Sequence, residues 1–578
     1  MKKILLVAIN AKYIHSNLAV YSLKAYADRY VHNIHIAEYT INNQVEDIID
    51  SIYVKRPDML AISCYIWNIE YVCKILEEIH KLLPNCKIWL GGPEVSYNTD
   101  YYLDKYDYIE GIIVGEGEET FKEVCMLYQI EPSWDKVKHE LGNIAGIATK
   151  DKRQMIAREA VDMSELPFPY TDLKRFENRI IYYESSRGCP YSCSYCLSCI
   201  DKKLRFRDID MVENELRFFL EKKVAQVKFI DRTFNCDRER SARIWRFIAD
   251  NDNGVTNFHF EVSSDLITDE HIEVLKAMRP GLVQLEIGVQ STNEDTLKAI
   301  RRKMNIYKLK NVVSSLRENK NIHIHLDLIA GLPYEGMESF KKSFNDVYNM
   351  KPDELQLGFL KVLYGSYMYD DAKEYGIAYK SFPPYEVLYT NWLTYDDILN
   401  LKKVENVLEI YYGSGQFVHA VAYLERFFHS PYDFYDKLGK FYAKEHENGE
   451  KHSRIERYNI LLKFAHQYNI VKNCNDIDVK VLSELMTLDI YLRENIKSRP
   501  AFSKDLEPYR NDIKAMARSL NISKSDHIEI FTASIMPYVR DVLEIEAHDM
   551  DTLIYVRFAY NERNPVNHNV MAEVICEK

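Results

Sequence analysis

Three cysteines recur at the spacing C-x3-C-x2-C within the eight residues Cys189-Pro190-Tyr191-Ser192-Cys193-Ser194-Tyr195-Cys196. Thiolates are soft ligands that suit iron–sulfur clusters. A loop this short reaches three corners of a cubane cluster and offers no fourth sulfur at the ferredoxin spacing. The fourth iron would stay open to a small ligand, a place to deliver one electron to a bound molecule. Zinc is the alternative. It normally takes four ligands, often from paired CxxC knuckles, and no second knuckle stands elsewhere in the chain.

Such a loop needs a scaffold, and 578 residues are too many for one core. Three or four domains are expected: residues 1–140, a hairpin and linker at 141–178, a barrel at 179–365 and a mainly helical region at 366–578. The net charge of −12, with no basic run longer than Arg301-Arg302-Lys303, disfavours general capture of nucleic acid or an anionic membrane. No run of 18 apolar residues exists, so no spanning helix is expected, and the start reads as a strand rather than a signal peptide. Eleven cysteines, scattered outside the one loop, argue for a reducing cytoplasm rather than a disulfide framework.

In residues 1–140, strand-like runs at 4–9, 59–65, 87–90 and 108–114 alternate with helical periodicity at 18–30, 69–83 and 119–127. The alternation predicts a parallel Rossmann-like (flavodoxin-like) sheet with helices on both faces. Ligands of such sheets sit beyond the carboxyl ends of the strands, here at loops 10–17, 63–68, 91–96 and 115–119. Gly91-Gly92 and Gly115, Gly117 would let backbone approach something bulky; tight turns are the plainer reading. Neither GxGxxG nor GxxxxGK[ST] is present, so the dinucleotide and P-loop readings lose support. Residues 144–149 and 154–158 read as a β-hairpin, followed by the stiff segment Leu166-Pro167-Phe168-Pro169-Tyr170.

From 179 to 365, six strand-like runs (180–184, 226–230, 257–262, 282–287, 323–329 and 354–360) alternate with helices near 208–222, 238–251, 268–278, 293–318 and 336–349. Six β/α units predict a partial (β/α)6 TIM-like barrel, with reactive groups at the strand carboxyl ends. Glu261 and Asp265, then Glu286, Gln290 and Ser291, then Asp327 fall at or near those ends. A lone acid on a strand is often a satisfied core group; several at one mouth point to a ligand. Asp231-Arg232-Thr233-Phe234-Asn235 is a further pocket candidate or a capping turn, and Cys199 reads as a spectator thiol. Residues 385–404 and 456–465 read as helices of the C-terminal region, which ends in a strand pair at 553–560 and 566–574.

Cys189, Cys193 and Cys196, with Arg187-Gly188 before them and Tyr195 among them, resemble the CxxxCxxC signature of the radical S-adenosylmethionine (SAM) superfamily. The resemblance implies a 4Fe–4S cluster whose open iron chelates SAM and reduces it to a 5′-deoxyadenosyl radical. Phe260-Glu261-Val262, Gly288-Val289-Gln290-Ser291, Ala299-Ile300-Arg301-Arg302 and the run Asp327 to Pro333 resemble the oxygen-independent coproporphyrinogen oxidase branch. Carried over, Glu261, Gln290, Arg302 and Asp327 become SAM contacts. A Rossmann-like domain directly before such a barrel resembles the cobalamin-dependent class. Ser63-Cys64-Tyr65-Ile66-Trp67-Asn68, Leu90-Gly91-Gly92-Pro93-Glu94 and Gly115-Glu116-Gly117-Glu118 resemble its cobalamin-binding loops. The D-x-H-x-x-G motif that supplies a cobalt-ligating His is absent, and His15 reads as a solvated loop residue. This implies base-off cobalamin without a His ligand, with Tyr65 or Trp67 near its lower face. The whole chain resembles a bacterial group of B12-binding radical SAM proteins with an extra helical C-terminal domain.

That resemblance implies a methyltransferase acting on an unactivated carbon, with an electron donor such as flavodoxin or ferredoxin. Rearrangement, cyclisation, oxidation or RNA modification by the same cofactors is the alternative, though no basic RNA-binding module is evident. A non-catalytic cobalamin sensor is a reading from another class, and the intact cysteine triad speaks against it.

Overall fold

The computed structural model describes residues 2–131, 133–445, 452–472, 476–544, 546 and 549–578, with the backbone alone at 134, 135 and 199. The spectator reading of the Cys199 side chain therefore lies outside the described residues. The chain divides into two compact units. One comprises Met1–Ala277, Lys298–Lys303 and Leu360–Thr390; the other comprises Met278–Leu297, Met304–Phe359 and Asn391–Lys578.

In the first unit, β1 (Ile4–Asn10) is buried along its whole length, as a central parallel strand with both faces covered must be. It pairs in parallel with β2 (Ile34–Thr40) on one side and β3 (Met59–Ser63) on the other. The sheet continues through β4 (Lys87–Gly91) and β5 (Ile109–Ile113), and β6 (Ile147–Ala148) adds an antiparallel edge. The helix Ile69–Leu82 buries Ile69, Val72, Ile75, Leu76 and Ile79, a one-sided stripe that packs into the core formed with Leu5, Val7, Leu60 and Ile88.

Two elements go beyond the sequence expectation. β2 and the helix Val45–Lys55 were hidden because IHIAEYT mixes His35 and Glu38 into a short edge strand. In the expected hairpin only residues 147–148 form a strand; the chain at 154–158 meets it through Ile156 O, which accepts from Gly146 N–H at 2.9 Å, and through the Arg158 side chain, which donates to Ala145 O.

The same unit holds three of the six strands expected after residue 179. They are β7 (Ile181–Tyr183), β10 (Gln226–Phe229) and β11 (Asn257–Glu261), parallel in that order. Between β7 and β10, β8 (Ser186–Arg187) and β9 (Arg205–Phe206) form a short antiparallel pair. After residue 360, β15 (Ala378–Tyr379) and β16 (Val387–Tyr389) make a small antiparallel ribbon.

The second unit holds the other three parallel strands, β12 (Val283–Gln290), β13 (His323–Ala330) and β14 (Glu354–Phe359). Their register sets Glu286 against His325 and Asp327 against Gln356 on one face. The alternate residues Leu285, Ile287, Ile324, Leu326, Leu328, Leu355 and Leu357 are buried on the other. The C-terminal part is mainly helical, with Tyr395–Leu408, Val418–Glu425, Pro431–Glu445, Arg454–Lys472 and Val479–Arg493 as its larger helices. It ends in three antiparallel strands, β17 (His527–Thr532), β18 (Leu553–Arg563) and β19 (Val570–Glu577). β17 was not anticipated.

Two expected helices differ. The one read at 293–318 is two, Glu294–Ala299 and Ile306–Arg317. The one read from 385 begins at Tyr395, where Thr394 and Asp397 form a reciprocal capping box. Among the described residues no helix is long and apolar enough to cross a membrane.

Candidate active site

The cysteine loop lies between β8 and β9. Gly188 opens it at φ +89°, and an added Cβ would stand 2.5 Å from Lys203 O, so only glycine fits. Four backbone bonds shape the loop: Cys189 N–H to Asp201 O (3.0 Å), Cys196 N–H to Cys193 O (3.1 Å), Ser194 N–H to Ile300 O (2.9 Å) and Met368 N–H to Ser194 O (2.7 Å). All three cysteines are free thiols; Cys189 and Cys193 are buried and Cys196 is half-buried. Asp231, at the end of β10, is consumed beneath the loop. It accepts from Ser185 N–H and from the hydroxyls of Ser185 and Ser186.

Arg302 reaches the same loop. Its Nη1 lies 3.2 Å from Tyr195 Oη and 3.7 Å from Cys193 Sγ. Burial works against the charge of this guanidinium, but the neighbouring Tyr195 and Cys193 outweigh it and raise its pKa. A fixed cation beside clustered sulfurs suits thiolates that must share a metal cluster. The donor set therefore fits three-point iron–sulfur ligation, with Arg302 beside it. Glu261, the last residue of β11, belongs to the same unit.

The other two expected SAM contacts lie in the second unit. Gln290, at the end of β12, adopts φ +72° where the ladder with β13 slips between Gly288 and Gln290. Its Oε1 is buried without a hydrogen-bond partner. Backbone strain and unsatisfied buried polar atoms cluster at functional sites. The next residue, Ser291, donates to Glu335 Oε1 at 2.6 Å, and Ser343 donates to the same oxygen at 2.8 Å. Burial pushes the Glu335 carboxyl up to about 7. Asp327 Oδ1 sits 2.9 Å from His325 Nε2. With Glu286 these side chains offer ligand atoms within 4.8 Å of one another, a spacing that could hold a metal ion.

The expected cobalamin loops share the first unit with the cysteine loop. Asn68 is fully engaged: its Nδ2 donates to Ile9 O and Ser63 O, and its Oδ1 accepts from Tyr65 N–H. Ser63 Oγ accepts from Asn17, and Trp67 Nε1 donates to Ile9 O at 3.2 Å. The Tyr65 and Trp67 rings stack at 4.3 Å and 9°. Burial pushes the Tyr65 hydroxyl up to about 12, with the charges of Arg232 and Glu184 felt beside it. At Gly92 (φ +109°), which leads into Pro93, a Cβ would collide with Cys64 O at 2.5 Å. At Gly115 (φ +78°) a Cβ would project into open space, with nothing within 4 Å. The stacked rings and open glycine backbone at the strand ends fit a flat, bulky cofactor.

Two of the acids serve the joint between loops instead. Arg187 binds Glu118 (2.6 Å), Glu184 (2.8 Å) and Glu116 (3.4 Å), and Arg205 binds Glu116 (3.1 Å). Gly117 separates these acids and caps the helix Glu118–Ile130. The Glu94 carboxylate is likewise occupied, by the hydroxyls of Tyr102 and Tyr385. His15 is half-buried: its Nδ1 is 2.6 Å from Tyr182 Oη, and burial together with Lys12 and Lys228 lowers its pKa. Arg205, Glu335 and Tyr385 had no sequence signal as site residues, because Glu116, Ser291 and Glu94, which they meet, lie 44 to 291 residues away.

Residues 4–125 match the profile of the B12 binding domain, residues 183–347 that of the radical SAM superfamily, and residues 373–554 that of a protein of unknown function, DUF4080. The chain is 28% identical over 327 residues to the cobalamin-dependent radical SAM methyltransferase TokK of Streptomyces tokunonensis, covering 51% of this chain and 45% of TokK. It is 26% identical over 250 residues to the anaerobic magnesium-protoporphyrin IX monomethyl ester cyclase of Synechocystis sp., covering 40% and 47%. The chain thus spans less than half the length of these curated relatives. In fold it is similar to the cobalamin-dependent S-adenosylmethionine radical enzyme OxsB, with a TM-score of 0.58 at 15% identity over 91% of this chain and 82% of that one.

Proposed function

We propose that this chain is a cobalamin-dependent radical SAM enzyme, and among those a methyltransferase that acts on an unactivated carbon. The observation that carries the reading is the placement of the cobalamin-type loops and the three-thiol loop in one compact unit, tied by Arg187 and Arg205 to Glu116 and Glu118. When bound, the cluster with SAM supplies a 5′-deoxyadenosyl radical that takes a substrate hydrogen, and cobalamin supplies the methyl group.

The chain's own residues hold and orient these partners. Cys189, Cys193 and Cys196 ligate the cluster, and Arg302 pairs the SAM carboxylate. Glu261 takes one of its remaining polar groups. Tyr65, Trp67 and the backbone at Gly92 and Gly115 bed the corrin ring. Ser63, Asn68 and Gly91 shape those loops from behind. His15 is held by Tyr182, which supports a base-off cofactor with no His ligand. A small electron-transfer protein such as flavodoxin or ferredoxin supplies the electron. The relatives named as methyltransferases support methyl transfer; the cyclase relatives support ring closure with the same cofactors as a second reading.

The test is anoxic reconstitution with SAM labelled in its methyl group, offered cell extract as substrate source. Label in a carbon-bound methyl of a product, with 5′-deoxyadenosine formed alongside, is expected. Deoxyadenosine with a product that gains no label would instead favour cyclisation or oxidation.

A further inference from the structure

The segment that follows residue 360 touches both loops of the site and has no role assigned so far. Its start runs beside its own later part: Val362 N–H donates to Tyr385 O at 3.0 Å, and Val387 N–H donates to Leu360 O at 2.9 Å. This pairing holds Tyr385 at φ +56°, a conformation an aromatic residue rarely adopts. From there the Tyr385 hydroxyl reaches Glu94 Oε1, which also accepts from Tyr102 Oη at 3.3 Å. Glu94 and Tyr385 are each 5% exposed. Twenty residues earlier, Gly365 (φ +84°) lies under the ring of Tyr97, where an added Cβ would come within 2.6 Å of the ring. Three residues on, Met368 N–H holds Ser194 O in the middle of the cysteine loop. One short stretch thus grips loop 91–97 at Glu94 and Tyr97 and the cysteine loop at Ser194.

We propose that residues 360–390 are a strut that sets the distance between the corrinoid loop 91–97 and the cluster loop 189–196, with Tyr385 and Glu94 as its positioning residues. The proposal rests on the cobalamin reading above and deepens it. It also gives a purpose to the first residues of the DUF4080 region, from 373, which bring Tyr385 to the B12-binding domain. A methyl group passed between two cofactors tolerates little error, since misplacement by about 1 Å can cost on the order of a hundredfold in rate. Both phenols converge on one oxygen of Glu94, and burial raises its pKa against their pull. The joint therefore needs an acceptor there and not a charge, so glutamine is a fair replacement and alanine is not.

The experiment uses full-length protein reconstituted anoxically with iron, sulfide and hydroxocobalamin. After reduction, the magnetic interaction between the reduced cluster and cob(II)alamin reports their separation by electron paramagnetic resonance. The rate at which SAM methylates cob(I)alamin is followed by visible absorbance. Tyr385→Phe and Glu94→Ala are expected to shift or broaden the spin–spin interaction and slow corrinoid methylation by about tenfold or more. Glu94→Gln is expected to stay within about twofold of the parent protein. If Tyr385→Phe and Glu94→Ala match the parent in both readouts, or if Glu94→Gln is as impaired as Glu94→Ala, the strut is refuted. If the parent protein itself binds no corrinoid, the cobalamin reading fails instead, and the two failures are distinct.

Discussion

Arg187→Met removes the cation at the centre of the joint between the third corrinoid loop and the cysteine loop. The Arg187 side chain is 13% exposed and Glu118 only 6%, so this is a largely buried ion pair. Removing one partner of a buried pair costs about 3–5 kcal/mol. Glu116 keeps Arg205, so the lower end, about 3 kcal/mol, applies. At roughly 1–2 °C per kcal/mol for a unit of about 300 residues, the first thermal transition should fall by about 3–6 °C at pH 7.

The pH dependence has a defined sign. Burial opposes the Glu116 carboxylate, but Arg205 and Arg187 more than offset it and hold its pKa below the usual range. That contribution is present above the unfolded value of 4.5 and is lost as pH falls through the lowered native value. Burial raises the Glu184 carboxyl, and Arg187 restrains it; without Arg187 it rises further, so the variant loses more stability as pH climbs above 4.5. Differential scanning fluorimetry of metal-free protein from pH 3.5 to 8 should therefore show a deficit that grows with rising pH, the Glu116 share appearing below 4.5 and the Glu184 share above it. A deficit independent of pH would refute the electrostatic role of Arg187.

Three further perturbations have defined outcomes. Cys193→Ser should lower iron to background after reconstitution while circular dichroism stays that of the parent chain, because only one loop thiol changes. Gly115→Val strains a φ of +78° and fills open space beside the corrinoid loops; hydroxocobalamin titration should show binding weakened about tenfold, or about 1.4 kcal/mol. In the C-terminal region His419 is buried between Asp489 (2.6 Å) and Asp541 (3.3 Å). Burial opposes its charge, yet the two carboxylates raise its pKa to about 10. Its stabilisation is full below 6.5 and is lost as pH rises through about 10. The destabilisation of His419→Gln, measured by thermal unfolding, should therefore shrink between pH 7 and 10.5.

The cysteine triad was legible because its whole chemistry lies within eight residues. The Rossmann-like sheet was legible because its central strands are continuous apolar runs between glycine-rich loops. Arg302 was reached only by resemblance, since periodicity read a single helix through 293–318. In the fold that helix breaks: Ile300 O takes the Ser194 N–H, and Arg301 turns to φ +55°. Tertiary demand at the cluster loop overrides local helical preference there. Glu116 and Glu118 look like ligand-loop acids in sequence, and only the approach of Arg187 and Arg205 from about 70 to 90 residues away reveals them as a joint. Glu94 and Tyr385, 291 residues apart, could not be paired from any local pattern.

The most direct measurement is the cofactor content of full-length protein prepared without oxygen, reconstituted with iron, sulfide and hydroxocobalamin, and passed through gel filtration. About four irons, four sulfides and one corrinoid per chain are expected, with the visible spectrum of a base-off corrin. Protein that elutes with neither iron nor corrin would contradict the assignment of the three-thiol loop and the loops that face it.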